Sequence, residues 1–315
     1  MKKNLVSFVI PAKNEEGSVK PFYGEIKAEV KRLKLDYEII FIDDGSTDKT
    51  LPELKKLRAR DKKVKIITHR GNWGKSAALM SGFNIVRGEI IFTMDADMQD
   101  NPRDISKFLK KLSEGYDLVS GWKKKRKDPL DKVIPSRILN GAIRLTTGVP
   151  VHDTNCGFKA YKKEVLKSLN LYGELYRYIP VLAAKKNFRV AEVEVSHRKR
   201  KYGKSKFGIE RNLKGFLDLL TVIFLTRYLA RPGHFFGTLG IISFTVGFAI
   251  GLFITYLRVT TGGIQFRQPL LFLGVFLMIV GVQLITTGLL AEMIVSFHQH
   301  NNPDSYIEES KLKTS

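Results

Sequence analysis

Three early apolar runs each end in a short cluster of oxygen-bearing side chains. LVSFVI ends at Pro11, with Glu15 just beyond; YEIIFI ends at Asp43 and Asp44; EIIFTM ends at Asp95, Asp97 and Gln99. In open parallel sheets, ligands sit beyond the carboxyl ends of the strands. Carboxylates gathered there repel one another unless a cation or hydrogen-bond donors intervene. Asp-x-Asp puts two hard oxygen ligands on one tight turn and leaves positions for phosphate oxygens and water. That is the coordination chemistry of Mg²⁺ or Mn²⁺ on a diphosphate. Asp is also a common turn and helix-cap residue. The second Asp pair, at the end of an earlier strand, favours the metal reading. Counter-charge follows in the segment from His197 to Lys206, which holds Arg198, Arg200, Lys201 and Lys204. Such a run is ordinarily a solvated loop. Its Tyr202-Gly203 turn signal, and its place ahead of the apolar last third, favour a site for anionic headgroups.

The elements that must hold these residues alternate strand and helix. Strands are expected at 5–10, 37–42, 64–68, 89–94 and 116–120. Helices are expected from about 15 to 35, 48 to 60, 74 to 86 and 102 to 112, the second capped by Thr47 or Asp48. Continuous apolar strands separated by such helices imply a mostly parallel, doubly wound sheet. Beyond a charged linker at 123–131 come a helix near 132–146, a turn at 149–155 and a short strand near 157–161. Helices to about 186 and a strand at 190–195 follow.

The chain has 315 residues, 43% of them hydrophobic, enough for a sizeable core, which excludes disorder as the main state. One cysteine, Cys156, excludes an intrachain disulfide and a Cys-rich zinc site, and fits a reducing compartment. It reads as structural, and His69 and His152 as turn residues. A net charge of +22 calls for a polyanionic partner. Much of the excess lies just ahead of two long apolar runs, so the expected partner is a lipid bilayer rather than nucleic acid. No nucleic-acid module is recognisable. Residues 209–232 read as amphipathic helices at the membrane interface, with a core helix as the other reading. Residues 233–257 contain no charge, and 269–295 contain only Glu292. Each run would measure about 37–40 Å as a helix, against about 30 Å of hydrocarbon. The short connector makes them a transmembrane hairpin. Arg227 and Arg231 flank its entry, and Arg258 and Arg267 lie in the connector. The positive-inside rule puts both chain ends in the cytosol. The short run after Met1-Lys2-Lys3 does not read as a signal peptide. Residues 296–315 would be a polar cytosolic tail. Gly237, Gly240, Gly247 and Gly251 include small-xxx-small spacings that would suit pairing with a second copy, a homo-oligomer.

IPAKNEE, YEIIFIDDGSTDKT, NWGKSAALMSGF and GEIIFTMDADMQDNP, in that order, resemble the family 2 glycosyltransferases of GT-A fold. CGFKAYKKEVL and RKYGKSKFG resemble the branch that holds dolichol-phosphate mannose synthase and bacterial polyprenyl-phosphate glycosyltransferases. The likeness is close over about residues 4–230 and architectural beyond. It implies a GT-A (Rossmann-like) domain over 1–208, then the interface helices and hairpin. It implies transfer of a single sugar, with inversion, from a UDP- or GDP-linked nucleotide-sugar donor to polyprenyl phosphate at the cytosolic membrane face. By position, Pro11 and Glu15 would contact the nucleoside, with Ile42 and Asp44 lining the base and ribose pocket. Asp95 and Ala96 would sit at the ribose and diphosphate, and Asp97 and Gln99, with Asp95, at the metal. Arg200 and Lys206 would bind the donor diphosphate or the lipid phosphate. Lys123 stands where relatives often carry Arg, and Lys13 where they carry an aromatic residue. Gly157 stands where some carry an acid, which leaves Asp153 as the candidate general base. A lipid phosphate, already anionic, can also attack the anomeric carbon directly, with catalysis resting on alignment and charge neutralisation. A processive polysaccharide synthase would need more membrane helices and a Gln-x-x-Arg-Trp motif. A non-catalytic membrane scaffold would not need Asp95, Asp97, Arg200 and Lys206 together.

Overall fold

The computed structural model describes residues 5–124, 141, 143–144, 148–198, 232–264 and 266–300, with side chains as far as 295. The chain divides into two compact units, Met1–Ile223 and Phe224–Ser315. The linker from 125, most of the expected helix at 132–146, the interface segment up to 231 and the tail beyond 300 lie outside the described residues.

Among the described residues the first unit has seven strands: β1 (Leu5–Ala12), β2 (Asp36–Asp43), β3 (Val64–Thr68), β4 (Ile90–Thr93), β5 (Leu118–Trp122), β6 (Lys159–Lys162) and β7 (Val190–Glu194). They form one sheet in the order β3-β2-β1-β4-β6-β5-β7. β1 to β4 are parallel, and β5 runs parallel to β7. β6 is antiparallel to both β4 and β5, so it wedges between two strands that sequence order alone would pair. Helices α1 (Val19–Arg32), α2 (Thr50–Arg60), α3 (Lys75–Phe83), α4 (Ile105–Ser113), α5 (Lys163–Ser168) and α6 (Ile179–Lys185) connect and cover the strands.

Apolar periodicity sets the packing. α1 buries Val19, Phe22, Ile26 and Val30, the stripe that three- and four-residue steps produce. Phe8 stacks on Phe92 at 5.4 Å, and Phe108 on Phe158 at 4.3 Å. α1 starts later than expected because residues 14–16 are tied to the β2–α2 loop. Asn14 adopts a left-handed φ of 53°, and its Oδ1 accepts the Thr47 amide at 2.9 Å. α2 starts at Thr50, whose amide donates to Asp48 Oδ1 at 2.9 Å.

The described residues of the second unit form a pair of long helices, α7 (Pro232–Thr261) and α8 (Gln268–His300). Both are long and apolar enough to cross a membrane, and most of their apolar side chains face outward. The glycine stripe acts inside this hairpin. A Cβ on Gly240 would meet the Gly281 carbonyl at 2.7 Å, and one on Gly247 would meet the Met278 amide at 2.9 Å. Ser243 Oγ donates to the Leu277 carbonyl at 2.9 Å, and the Gly233 amide to Glu292 at 2.8 Å. Gly240 and Gly247 therefore serve helix–helix approach within one chain. Positions 237 and 251 have open space where a Cβ would stand.

Candidate active site

β1, β2 and β4 bring their carboxyl ends to one edge of the sheet. Ala12 lies opposite Asp43, and Val9 opposite Thr93. The chain leaves β1 toward β2 on one side and reaches β4 on the other, which opens a crevice at the switch in direction.

Pro11 and Glu15 form one wall. Pro11 is half-buried opposite Ile42. The Glu15 amide donates to Thr50 Oγ1, and its carboxylate accepts from Ser18 Oγ, both at 2.7 Å. Ile42 is fully buried, and a Cβ on Gly82 of α3 would meet its Cδ1 at 3.0 Å, so its side chain packs beneath the site. Asp44 gathers the loop before α3. It accepts the amides of Trp73 and Gly74 and meets His69 Nδ1, all at 2.9 Å. Gly45, at φ +69°, allows the close crossing, since a Cβ there would stand 2.8 Å from Gly71 Cα.

Asp95 lies at the centre. Lys75, at the start of α3, forms an ion pair with its Oδ1 and sits 5.0 Å over the Tyr176 ring. Burial works against the Asp95 charge, but Lys75 and then Lys123 outweigh it and hold the carboxyl below its usual range. Burial likewise opposes the Lys75 charge, and Asp95 overcomes it, so that ammonium is held above its usual range. Lys123 Nζ reaches Asp100 Oδ1 at 3.2 Å; burial opposes its charge, but Asp100 leads the neighbours that raise its pKa. Ala96 is buried. Asp97 Oδ1 accepts the Gln99 amide at 3.0 Å, with Met98 between them at φ 62°. Gln99 Nε2 donates to the Arg198 carbonyl at 3.4 Å, and the Arg198 amide donates to the Gln99 carbonyl at 3.0 Å. The Asp-x-Asp turn is thus laced to the first residues of the basic segment. Arg198 itself is committed elsewhere, donating to Glu25 at 2.8 Å and to Asn101 at 2.6 Å. Arg200 and Lys206 lie outside the described residues.

Asp153 is 1% exposed. Its amide donates to Glu192 Oε1 at 3.0 Å, beside His152, whose ring meets Glu192 Oε2 at 2.8 Å and stacks on Trp122 at 4.5 Å. The Asp153 charge acts on Lys123, Cys156 and Lys159. This arrangement makes it a balance for buried ammonium groups.

Sequence reasoning had assigned no role to Lys75, Lys159 or Asp100. Lys75 follows Gly74 in NWGKSAALMSGF and Lys159 closes CGFK, so both lie inside the motifs that carry the family resemblance. Lys159 is 2% exposed and donates to the carbonyls of Thr154 (3.2 Å) and Cys156. Burial pulls its pKa down to about 8, with Cys156, Asp153 and Asp95 offsetting part of the loss. The Cys156 thiol is pushed up to about 12 by burial, which keeps it inert. Gly157 then passes against Asp95: a Cβ there would stand 2.7 Å from Cγ and 2.8 Å from Oδ1. The bare glycine thus gives the Asp95 carboxylate its room.

Among the described residues no three or more His, Cys, Asp or Glu side chains gather as a metal cage. The donor set at this edge is two carboxylates, Asp95 and Asp97, with Gln99 beside them. That set fits Mg²⁺ or Mn²⁺, which bind through one or two carboxylates together with substrate phosphates and water.

A family model described as glycosyl transferase family 2 matches residues 7–169. Dodecaprenyl-phosphate galacturonate synthase of Rhizobium johnstonii is 39% identical over 308 residues, covering 96% of this chain and 91% of that protein. Undecaprenyl-phosphate 4-deoxy-4-formamido-L-arabinose transferase of Pseudomonas paraeruginosa is 34% identical, covering 92% of this chain and 85% of that one. Among solved structures, glucosyl-3-phosphoglycerate synthase of Mycobacterium tuberculosis, in complex with Mn²⁺, UDP and phosphoglyceric acid, superposes with a TM-score of 0.54. That pair is 23% identical over 71% of this chain and 78% of the other, a likeness of fold.

Proposed function

We propose, from the premise that this chain belongs to glycosyl transferase family 2, that it moves one sugar from a nucleotide-sugar donor to a polyprenyl phosphate. The observation that carries this reading is the likeness to two polyprenyl-phosphate sugar transferases over more than nine-tenths of the chain. The Asp95–Asp97 turn at the sheet edge supplies the matching chemistry. Asp97, with Asp95 and Gln99, would hold Mg²⁺ or Mn²⁺, which when bound neutralises charge on the departing diphosphate. Lys75 is the ammonium nearest Asp95 and is placed to donate to a diphosphate oxygen at the same edge. Pro11, Glu15, Asp44, Ala96 and Lys123 line or support the donor crevice, and Arg200 and Lys206 supply further cations for the two phosphates. The lipid phosphate attacks the anomeric carbon in line, so the product is inverted.

The hairpin would anchor the enzyme where its acceptor lies, with the catalytic unit and both termini in the cytosol, as the positive-inside rule requires. The test is a donor screen on the detergent-purified chain. It uses UDP-glucose, UDP-galactose, UDP-N-acetylglucosamine, GDP-mannose, UDP-galacturonate and the UDP-linked 4-deoxy-4-formamido-arabinose. Undecaprenyl and dolichyl phosphate serve as acceptors, with Mg²⁺ or Mn²⁺. Transfer from one donor into the lipid phase, abolished by EDTA, is the expected result. Transfer that survives EDTA overturns the metal assignment. A folded, nucleotide-binding protein that transfers nothing overturns the acceptor assignment.

A further inference from the structure

α8 packs on α7 through Gly274, Leu277, Gly281, Ile285, Gly288 and Glu292. Gln283 lies two residues after Gly281 and two before Ile285, and at about 100° per residue it points nearly opposite to α7. It is exposed, and Phe276, Ile279 and Leu290 on the same face are exposed as well. The nearby hydroxyls are satisfied inside the helix: Thr286 donates to the Val282 carbonyl at 3.0 Å, and Thr287 to the Gln283 carbonyl at 2.8 Å. The Gln283 side-chain amide, by contrast, has no hydrogen-bond partner among the described residues.

Depth makes this costly. Gln283 stands nine residues before Glu292 and sixteen after Arg267, about 13 Å and about 24 Å along the axis. A side chain reaching about 5 Å cannot snorkel to either end. Hydrocarbon offers an amide no partner, so another protein group must supply one.

We propose that this face of α8 is where two copies of the chain meet within the membrane, each Gln283 amide donating to the side-chain carbonyl of the other. The inference rests on the membrane-spanning reading of α7 and α8. Copies of one chain insert with the same orientation, so a two-fold axis along the membrane normal sets each residue opposite its own image at equal depth. A carboxamide both donates and accepts, so its own image satisfies it. The Gly240 and Gly247 side of the hairpin is occupied by α7–α8 contact, which leaves this face for association.

The experiment uses the full chain in native membranes. Gln283→Cys, Phe276→Cys, Leu290→Cys and Leu289→Cys are each oxidised with copper phenanthroline, and the parent chain, with its buried Cys156, serves as the blank. Covalent dimers are expected from positions 276, 283 and 290, and none from 289, about 120° round the helix. Light scattering in detergent should find the parent chain dimeric and Gln283→Leu about threefold to thirtyfold weaker in self-association. A monomeric parent chain overturns the proposal, as does cross-linking of Gln283→Cys to a different protein alone. Carbonate extraction separates the two ideas. A chain released by carbonate overturns the spanning reading and the interface with it; one retained but not cross-linked overturns the interface alone.

Discussion

Glu38 in β2 and Lys159 in β6 are each 2% exposed, yet the two parts of the sheet treat their charges in opposite ways. Glu38 accepts from Ser7 Oγ at 2.6 Å and from the Arg87 amide at 2.7 Å, and pairs with Lys65 at 2.8 Å. Burial alone would raise its pKa, but these donors prevail and hold it at about 2. The Lys159 hydrogen bonds go to neutral carbonyls, so burial prevails and its pKa falls to about 8. A buried ion that is fully met by donors behaves as part of the scaffold. A buried ion left in tension is characteristic of a functional site. The β1–β3 side is therefore the support, and the β6 side, where Gly157 touches Asp95, is the tuned part.

Five substitutions break or sharpen that contrast. Asp97→Asn should lower metal-dependent turnover by on the order of 10³-fold while leaving the circular dichroism spectrum and nucleotide binding in EDTA intact. Gly157→Ala should cost about 100-fold in turnover, because even a small displacement of Asp95 spoils alignment. Gly24→Ala, a site with open space around it, should leave turnover unchanged, and equal losses at both glycines would end the argument.

Glu38→Gln should cost about 3 kcal/mol of stability in urea unfolding without changing turnover at a temperature where the protein is folded. The folded pKa of Glu38 lies below its ordinary 4.5, so its contribution is present above that pH and is lost as the pH falls toward 2. Glu38→Gln should therefore flatten the acid limb of the stability profile. For Lys159 the folded value of about 8 lies below the ordinary 10.5. The cost of burying its charge is felt in full below about pH 8 and is relieved as the pH rises to 10.5. Relative to Lys159→Met, the parent chain should gain about 2 kcal/mol over that window. A flat difference would place the charge in contact with solvent.

Much of the support was legible because its signals are local. LVSFVI, YEIIFI and VKIIT are short, mostly apolar and β-branched runs, and they became β1, β2 and β3 within two residues of expectation. Asp43, Asp44, Asp95 and Asp97 stood at strand ends in the sequence and stand at one sheet edge in the fold. The tuned part was harder to read. The short KAYK strand carries no mark of its antiparallel insertion between β4 and β5, since register and direction come from pairing across distant segments. Nor does Asp153 reveal in sequence that Glu192 holds its backbone and that its carboxylate is buried.

The sequence by itself determined the alternation of strands and helices, the carboxylates that close the strands and the two membrane-length apolar runs. Each follows from composition over a few to a few dozen consecutive residues. Tertiary structure alone decided that Lys75 pairs with Asp95, that Gly157 clears space for that carboxylate and that Lys159 is buried among carbonyls. It also turned Gly240 and Gly247 inward and Gln283 outward. The physical reason is that a pKa, a clearance or an unmet hydrogen bond depends on what lies within a few ångströms. Those neighbours come from distant parts of the chain.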